Sequence, residues 1–203
     1  MALAKTLTDV ANLALLAIGE DVIQNIDSDG SNEVILRRAI SEVTRQVQLM
    51  IHWPELLVVS APSRTPDMFD DQRYKFNLST QFLEVIKVYN SSDVEVEDWE
   101  IIGNKLITSE DAITLHYKKY SENVAEWSGR LIEVVYRKLA LETAIKITTN
   151  PSLIGLLQQQ YEIAKKEMTA KTQTRNRNYK KKREFFGYNQ MRHNIFTGRN
   201  LGY

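Results

Sequence analysis

Residues 82–89 read Phe-Leu-Glu-Val-Ile-Lys-Val-Tyr, and this stretch decides how the middle of the chain is interpreted. Leu83 and Val85 alternate with Glu84, and such a period of two is typical of a β-strand with one buried face. β-Branched and aromatic residues stay frequent over residues 56–119, a composition that favours strands. The sequence therefore predicts a β region in the middle of the chain.

Six short strands are predicted in this region, and together they make a small antiparallel sheet or sandwich. The strands cover residues 56–61, 74–78, 82–89, 99–102, 105–108 and 112–117. A weaker strand signal lies at residues 94–97, and residues 60–71 are predicted to form an exposed loop with two prolines. Gly103-Asn104 suits a two-residue hairpin turn, because such turns need a positive φ.

Apolar residues recur with a helical period on both sides of the β region. They predict helices at residues 6–19, 32–51, 129–148 and 151–170. Thr6 or Thr8 can cap the first helix, and Gly19 is a natural stop. The second helix has an apolar face and a polar face, and the polar face includes Arg45 and Gln48. Asn150-Pro151 begins the last helix, with proline at the first helical position.

The predicted fold class is α+β with an extended C-terminal tail. Two helical hairpins separated in sequence most simply pack together, so residues 1–55 and 120–170 are predicted to form an antiparallel helical bundle. Residues 56–119 are the inserted β-sheet or sandwich, and residues 171–203 are the tail.

The tail separates the charges of the chain. Residues 171–203 contain nine Lys/Arg and one acid, Glu184, hence a net charge of +8. Because the whole chain is neutral, residues 1–170 carry −8. Aromatic and aliphatic residues are spread through the tail without a period of 2 or 3.6. Such a segment has little to fold around, but it can lie extended along a partner, with its rings in apolar pockets and its cations in an acidic groove.

The predicted docking residues are therefore the cations and the rings or aliphatic side chains of the tail. They are Arg175, Arg177, Tyr179, Lys180, Lys181, Lys182, Arg183, Phe185, Phe186, Tyr188, Arg192, Ile195, Phe196, Arg199, Leu201 and Tyr203. Two other interpretations stay open. The tail is a solvated chain end, or it is a nucleic-acid-binding segment in which Lys/Arg and aromatic residues follow a strand.

Nothing in the sequence indicates an enzyme, a metal site or a cofactor. The histidines lie in three predicted elements without metal-ligand spacing: His52, His116 and His193. Two groups of acids could act in acid–base chemistry or hold Mg²⁺, but a solvated strand face and a loop explain them better. These acids are Glu95, Glu97, Asp98 and Glu100 near Trp99, and Asp67, Asp70 and Asp71 in the first β loop. A hydrolase using the acids near Trp99 remains a third class of function.

The composition excludes several other classes. The chain has 203 residues and no cysteine, which excludes a disulfide scaffold, a cysteine-ligated metal and a thiol nucleophile. No apolar run approaches the roughly 20 residues that span a bilayer, and no signal peptide is recognised. We expect a soluble protein with no membrane partner.

Several stretches resemble a known family. Residues 11–19 read Ala-Asn-Leu-Ala-Leu-Leu-Ala-Ile-Gly, and the chain here resembles the opening of tail tubular protein A, the head-to-tail adaptor family of short-tailed bacteriophages. The resemblance covers most of residues 8–170. It continues at Trp53-Pro54, Tyr74-Lys75-Phe76-Asn77-Leu78, Trp99-Glu100-Ile101-Ile102-Gly103 and Leu139-Ala140. The chain departs from the family at Ser79-Thr80, where such adaptors often carry a proline.

The resemblance implies a homo-oligomeric ring, usually of twelve copies, seated between the portal protein and a nozzle similar to tubular protein B. It implies a virion protein of the phage neck, present in the host cytoplasm during assembly. Double-stranded DNA passes through the ring without specific binding, and the acidic body suits such a channel wall. C-terminal extensions of this family dock onto the portal, which agrees with the composition of residues 171–203.

Overall fold

A computed structural model describes residues 4–70, 72–148 and 150–170. Over these residues the chain is a mixed α+β fold with four α-helices and two antiparallel sheets. The helices are α1 (Leu7–Ile18), α2 (Ser31–Met50), α3 (Gly129–Ile147) and α4 (residues 151–170). The chain divides into two units, Met1–Tyr161 and Glu162–Tyr203. The described part of the second unit is the final stretch of α4, residues 162–170.

Local capping signals fix both ends of α1. The Thr6 hydroxyl accepts a hydrogen bond from the Asp9 N–H at 3.1 Å, and the Asp9 carboxylate accepts one from the Thr6 N–H at 2.9 Å. This reciprocal pair is a capping box, and it satisfies N–H groups that have no partner inside the helix. Of the two predicted caps, Thr6 is therefore the one used. Gly19 has φ 90° and ends α1, as predicted.

The predicted starts of α3 and α4 are also confirmed by their caps. The Ser128 hydroxyl accepts from the Leu131 N–H at 3.2 Å at the start of α3. At the start of α4, the Asn150 side chain accepts from the N–H groups of Ser152 and Leu153. Both side chains satisfy first-turn donors that would otherwise lack a partner.

α3 is the central helix of the first unit, because it packs against both α1 and α2, which contact each other much less. The apolar residues of all three helices are buried together. They include Val10, Ala14, Leu36, Val43, Leu131, Val135 and Leu139. The predicted apolar faces are confirmed at these positions, but Met50 of α2 and Ile145 of α3, which were also placed on them, are exposed near the C-terminal ends of their helices.

The β region forms two antiparallel sheets. The first has the order β1 (Leu57–Ser60), β7 (Ile113–Lys119) and β4 (Phe82–Asn90). The second has the order β2 (Arg64–Met68), β3 (Tyr74–Asn77), β6 (Lys105–Thr108) and β5 (Trp99–Ile102). β5 and β6 form the predicted hairpin, and Gly103 in its turn has φ 61°.

The two sheets share one hydrophobic core. Leu115 and Val88 from the first sheet lie in the same buried cluster as Phe76 and Leu106 from the second. The ring of Phe82 lies 5.8 Å from the ring of Tyr117, centroid to centroid, at the side of this cluster. Because residues of both sheets are buried in one cluster, this part of the chain is a sandwich, which is one of the two predicted arrangements.

Two predictions about the strands were wrong. Residues 64–68 were expected to lie in a loop, but they form β2, which pairs with β3. The residues of β2 are almost all exposed. The strand therefore lacks the alternation of apolar and polar residues by which strands are recognised in a sequence. Residues 94–97 form only an isolated bridge, Tyr89 to Glu95. The Asn90 side chain accepts from the N–H groups of Ser92 and Val94, and this turn takes the place of the weak strand.

Candidate functional site

The predicted docking residues, from Arg175 to Tyr203, lie outside the residues that the structure describes. The structure therefore describes the body to which this segment is joined. Its surface shows how the body's negative charge is distributed, which edges of the sheets are open, and how the helices are connected to the sandwich.

Most of the body's negative charge lies in one segment. Residues 93–111 contain seven acids and one base, Lys105, so they carry −6 of the −8 of residues 1–170. The acids are Asp93, Glu95, Glu97, Asp98, Glu100, Glu110 and Asp111, and all are exposed except Glu110, which is half-buried. The Thr108 hydroxyl donates to the Asp98 carbonyl at 2.8 Å and accepts from the Glu110 N–H, which holds two parts of this segment together. We call residues 93–111 the acidic surface.

Two of these carboxylates pair with cations of neighbouring strands. Glu95 pairs with Lys87 of β4, and Glu100 pairs with Arg73, which lies just before β3. Arg73 also contacts Asp70 at 2.7 Å and lowers the pKa of that carboxyl below its ordinary value. The two pairs of Arg73 connect β5 to the turn between β2 and β3. Exposed carboxylates of this kind give the surface its negative charge, and each exposed ion pair adds little to the stability of the fold.

Two of the predicted catalytic candidates, Asp70 and Glu100, meet at Arg73. The ring of His116 in β7 lies 5.0 Å from the ring of Tyr89, while His52 follows α2. Asp71 and His193 lie outside the described residues. Among the residues that are described, no group of three or more His, Cys, Asp or Glu side chains is arranged to hold a metal ion.

The second sheet has two edges of different character. β2 carries Pro66, which has no N–H to offer an added strand, and its register with β3 is irregular. β5 carries no proline and pairs only with β6 in the described sheet. Ile101 and Ile102 at this edge are 39% and 44% exposed. β5 is thus the unprotected edge, and it lies inside the acidic surface.

A buried polar junction connects α2 to the segment after β7. The Gln48 side chain donates to the Ser121 carbonyl at 2.7 Å and accepts from the Ser121 N–H at 3.1 Å. The Trp127 indole N–H donates to the same carbonyl at 3.2 Å. Gln48 was placed on the polar face of α2, but unlike Arg45 of that face it is fully buried. Helical periodicity shows which residues of α2 share a face. It does not show that the segment after β7 packs against Gln48 on that face.

Lys118 strengthens this junction. Its ammonium donates to the Leu49 carbonyl at 3.0 Å and to the Glu84 carboxylate at 2.8 Å, and its side chain is only 3% exposed. The carbonyls at the C-terminal end of a helix carry partial negative charge, so they favour a cation there. Sequence reasoning missed this residue, because Lys118 is one of two adjacent lysines at the end of a strand.

Glu126 gives the junction a dependence on pH. The Lys119 ammonium, 2.7 Å away, together with Asn123 and Ser121, lowers the pKa of the Glu126 carboxyl below its ordinary value. A lowered folded-state pKa means that the stabilisation is complete above the ordinary carboxyl pKa and is lost as the pH falls through the folded-state value. Glu126→Gln should therefore unfold more easily than the parent protein at about pH 7, by less than about 1 kcal/mol for this partly exposed pair.

Urea unfolding at several pH values measures this effect. The difference in the free energy of unfolding should shrink as the pH falls through the folded-state pKa of Glu126, because the parent carboxylate then becomes protonated too. Glu97→Gln, at an exposed position of the acidic surface, is the matched control. If Glu126→Gln changed the free energy of unfolding equally at every pH, the lowered pKa of Glu126 would be contradicted.

No family model matches the chain, and no curated protein matches it. Within residues 4–70, 72–148 and 150–170, none of the helices is long and apolar enough to cross a membrane.

Proposed function

We propose that the chain is a structural virion protein, a subunit of the head-to-tail adaptor ring that joins the portal to the tail nozzle of a short-tailed phage. The observation that carries this proposal is the division of charge and rings along the chain. An acidic body, net charge −8, is joined to a tail of net charge +8 that contains the aromatic residues of an interface. The family resemblance of residues 8–170 supports the same assignment.

The body supplies the ring and the tail supplies the attachment. We propose that the helices of residues 1–55 and 120–170 form one bundle, which carries the sandwich and the tail. The packing of α3 against α1 and α2 supports this arrangement. Joining the helices to the sandwich through buried Gln48 and Lys118 makes the body stiff enough for a ring subunit.

The tail would become ordered on the portal. A segment rich in cations and poor in helical or strand periodicity orders when a partner offers a groove, so attachment waits until the portal is assembled. A ring carries one tail for each copy. The combined attachment is therefore stronger than any single tail by about 10²–10⁴-fold, provided that the geometry allows several tails to bind together.

The test is the mass of the purified protein, alone and after mixing with assembled portal rings. We expect a stoichiometric complex that forms with portals and persists at moderate salt, because buried rings contribute most of its affinity. The alternative, a nucleic-acid-binding protein, predicts binding to duplex DNA without portals. The logarithm of that affinity should fall linearly and steeply with the logarithm of salt concentration. DNA binding without portal binding would overturn the proposal.

Replacing the two adjacent rings should harm docking more than replacing two adjacent cations. Phe185→Ala/Phe186→Ala is expected to weaken portal binding by about 100-fold, because two buried anchors cost about 1–2 kcal/mol each. Lys181→Ala/Lys182→Ala should cost less than about tenfold, since charges at the rim of an interface contribute little. Surface plasmon resonance on immobilised portal rings compares the two. An equal or reversed order would show that charge, not the rings, holds the tail on the portal.

A further inference from the structure

The open edge of β5 presents backbone groups that the described sheet leaves free. Ile102 and Lys105 flank the two-residue turn, and the flanking pair of such a hairpin is hydrogen-bonded. Because hydrogen bonding alternates along an antiparallel strand, the backbone groups of Trp99 and Ile101 point away from β6. The Trp99 N–H donates to the Glu97 carbonyl at 3.2 Å, so the groups open to a partner are the Trp99 carbonyl and the N–H and C=O of Ile101. An added strand could pair with them.

The same edge leaves part of the core uncovered. Ile101 lies opposite Leu106, which is fully buried in the sandwich core, so the two side chains share the core-facing side of the sheet. Ile101 is nevertheless 39% exposed, because no strand lies beyond β5 in the described sheet. Trp99, on the same side, is only half-buried. An extended segment along β5 would cover both.

Charge decides which extended segment fits. The acidic surface has a net charge of −6, so β5 of one copy repels β5 of another and self-pairing is disfavoured. A cationic segment is attracted instead. Residues 175–183, Arg-Asn-Arg-Asn-Tyr-Lys-Lys-Lys-Arg, contain six cations and no acid, hence +6. When extended, these residues span about 30 Å, long enough for β5 and the acids beside it.

We propose that residues 175–183 of one copy add along the open edge of β5 in a second copy. The backbone of the segment pairs with the N–H and C=O of Ile101 and with the Trp99 carbonyl, its cations face the acidic surface, and Tyr179 supplies a ring for the exposed side of Ile101. This goes beyond portal attachment, because it names the surface through which copies contact each other. Because this contact uses only residues 175–183, the residues from Phe185 onward can still bind the portal. The six cations of the segment are then held at β5 and not against DNA in the channel.

Reciprocal charge variants of the full-length protein test the contact, without portals or nucleic acid. Glu97→Lys/Asp98→Lys alters the edge and Lys181→Glu/Lys182→Glu alters the segment. By sedimentation equilibrium at about 0.1 M salt, each variant alone should self-associate at least tenfold more weakly than the parent protein. Mixing the two should restore association to within about threefold, because the unaltered segment of the first variant meets the unaltered edge of the second.

A matched pair of acids outside the acidic surface provides the control. Asp21→Lys/Glu42→Lys makes the same change of net charge at exposed positions before the β region and should leave self-association within about twofold. Ile101→Pro removes an edge N–H while keeping every charge, and should weaken association at least tenfold. Circular dichroism of each variant shows whether it is folded.

Carbodiimide coupling of mixed ¹⁴N and ¹⁵N copies locates the contact. We expect amide bonds between lysines 180–182 of one copy and Glu97, Asp98 or Glu100 of another. The proposal is overturned if mixing the reciprocal variants restores nothing, if the control pair weakens association equally, or if every coupled product carries a single isotope. None of these outcomes bears on portal attachment, which is measured separately.

Discussion

Truncation after Lys171 should leave a folded body that no longer attaches to portals. All the described helices and strands lie within residues 4–170, so the body keeps its core and its caps. The truncated protein loses every predicted docking residue at once. Loss of the tails from a multivalent ring should lower portal binding by at least about 100-fold. Co-sedimentation with portal rings measures the binding, and circular dichroism confirms the fold.

A chain ending after Arg183 is the informative control for this truncation. It retains the six cations of residues 175–183 but lacks Phe185, Phe186 and the rings that follow. We expect it to associate with other copies and yet to miss the portal. Truncated subunits that still join portals would contradict the role of the tail. If a chain ending after Arg183 kept portal binding, residues 175–183 would dock onto the portal without Phe185, Phe186 and the rings that follow.

Gln48→Ala should lower the free energy of unfolding by about 3 kcal/mol. The substitution removes both hydrogen bonds to Ser121 and leaves the Ser121 N–H buried without that partner, which costs about 1–3 kcal/mol. A cavity in place of the buried amide adds to this cost. Urea unfolding followed by tryptophan fluorescence measures the change, because Trp127 donates to the same carbonyl.

Gln46→Ala provides a control in the same helix. Gln46 donates to the Glu42 side chain one turn earlier at an exposed position, so its removal should cost less than about 0.5 kcal/mol. A Gln48→Ala effect as small as that of Gln46→Ala would mean that the junction does not hold α2 to the segment after β7.

The elements that were predicted correctly have local signals. The first helix is bounded by Thr6 and Gly19, and the hairpin at Gly103 has turn residues that demand its geometry. Each signal acts over a few residues, so it can be recognised without knowing the rest of the fold. β2 has no such signal. It is a strand because β3 offers it a ladder of backbone hydrogen bonds, and that partner is known only once the chain is folded.

The candidate surfaces divide in the same way. Charge counts made at the sequence level separate an acidic body from a basic tail, since net charge depends on composition alone. They do not show that β5 is an open edge, that Ile101 lies partly uncovered beside the acids, or that Gln48 is buried against Ser121.

The amino-acid sequence by itself thus determined the helices, the candidate residues for their caps, the β region and the opposite charges of body and tail. Only the tertiary structure decided the strand order, the free edge and the buried junction. The physical reason is range: periodicity, capping and net charge depend on neighbours along the chain, whereas an edge or a buried amide depends on what packs beside it in space.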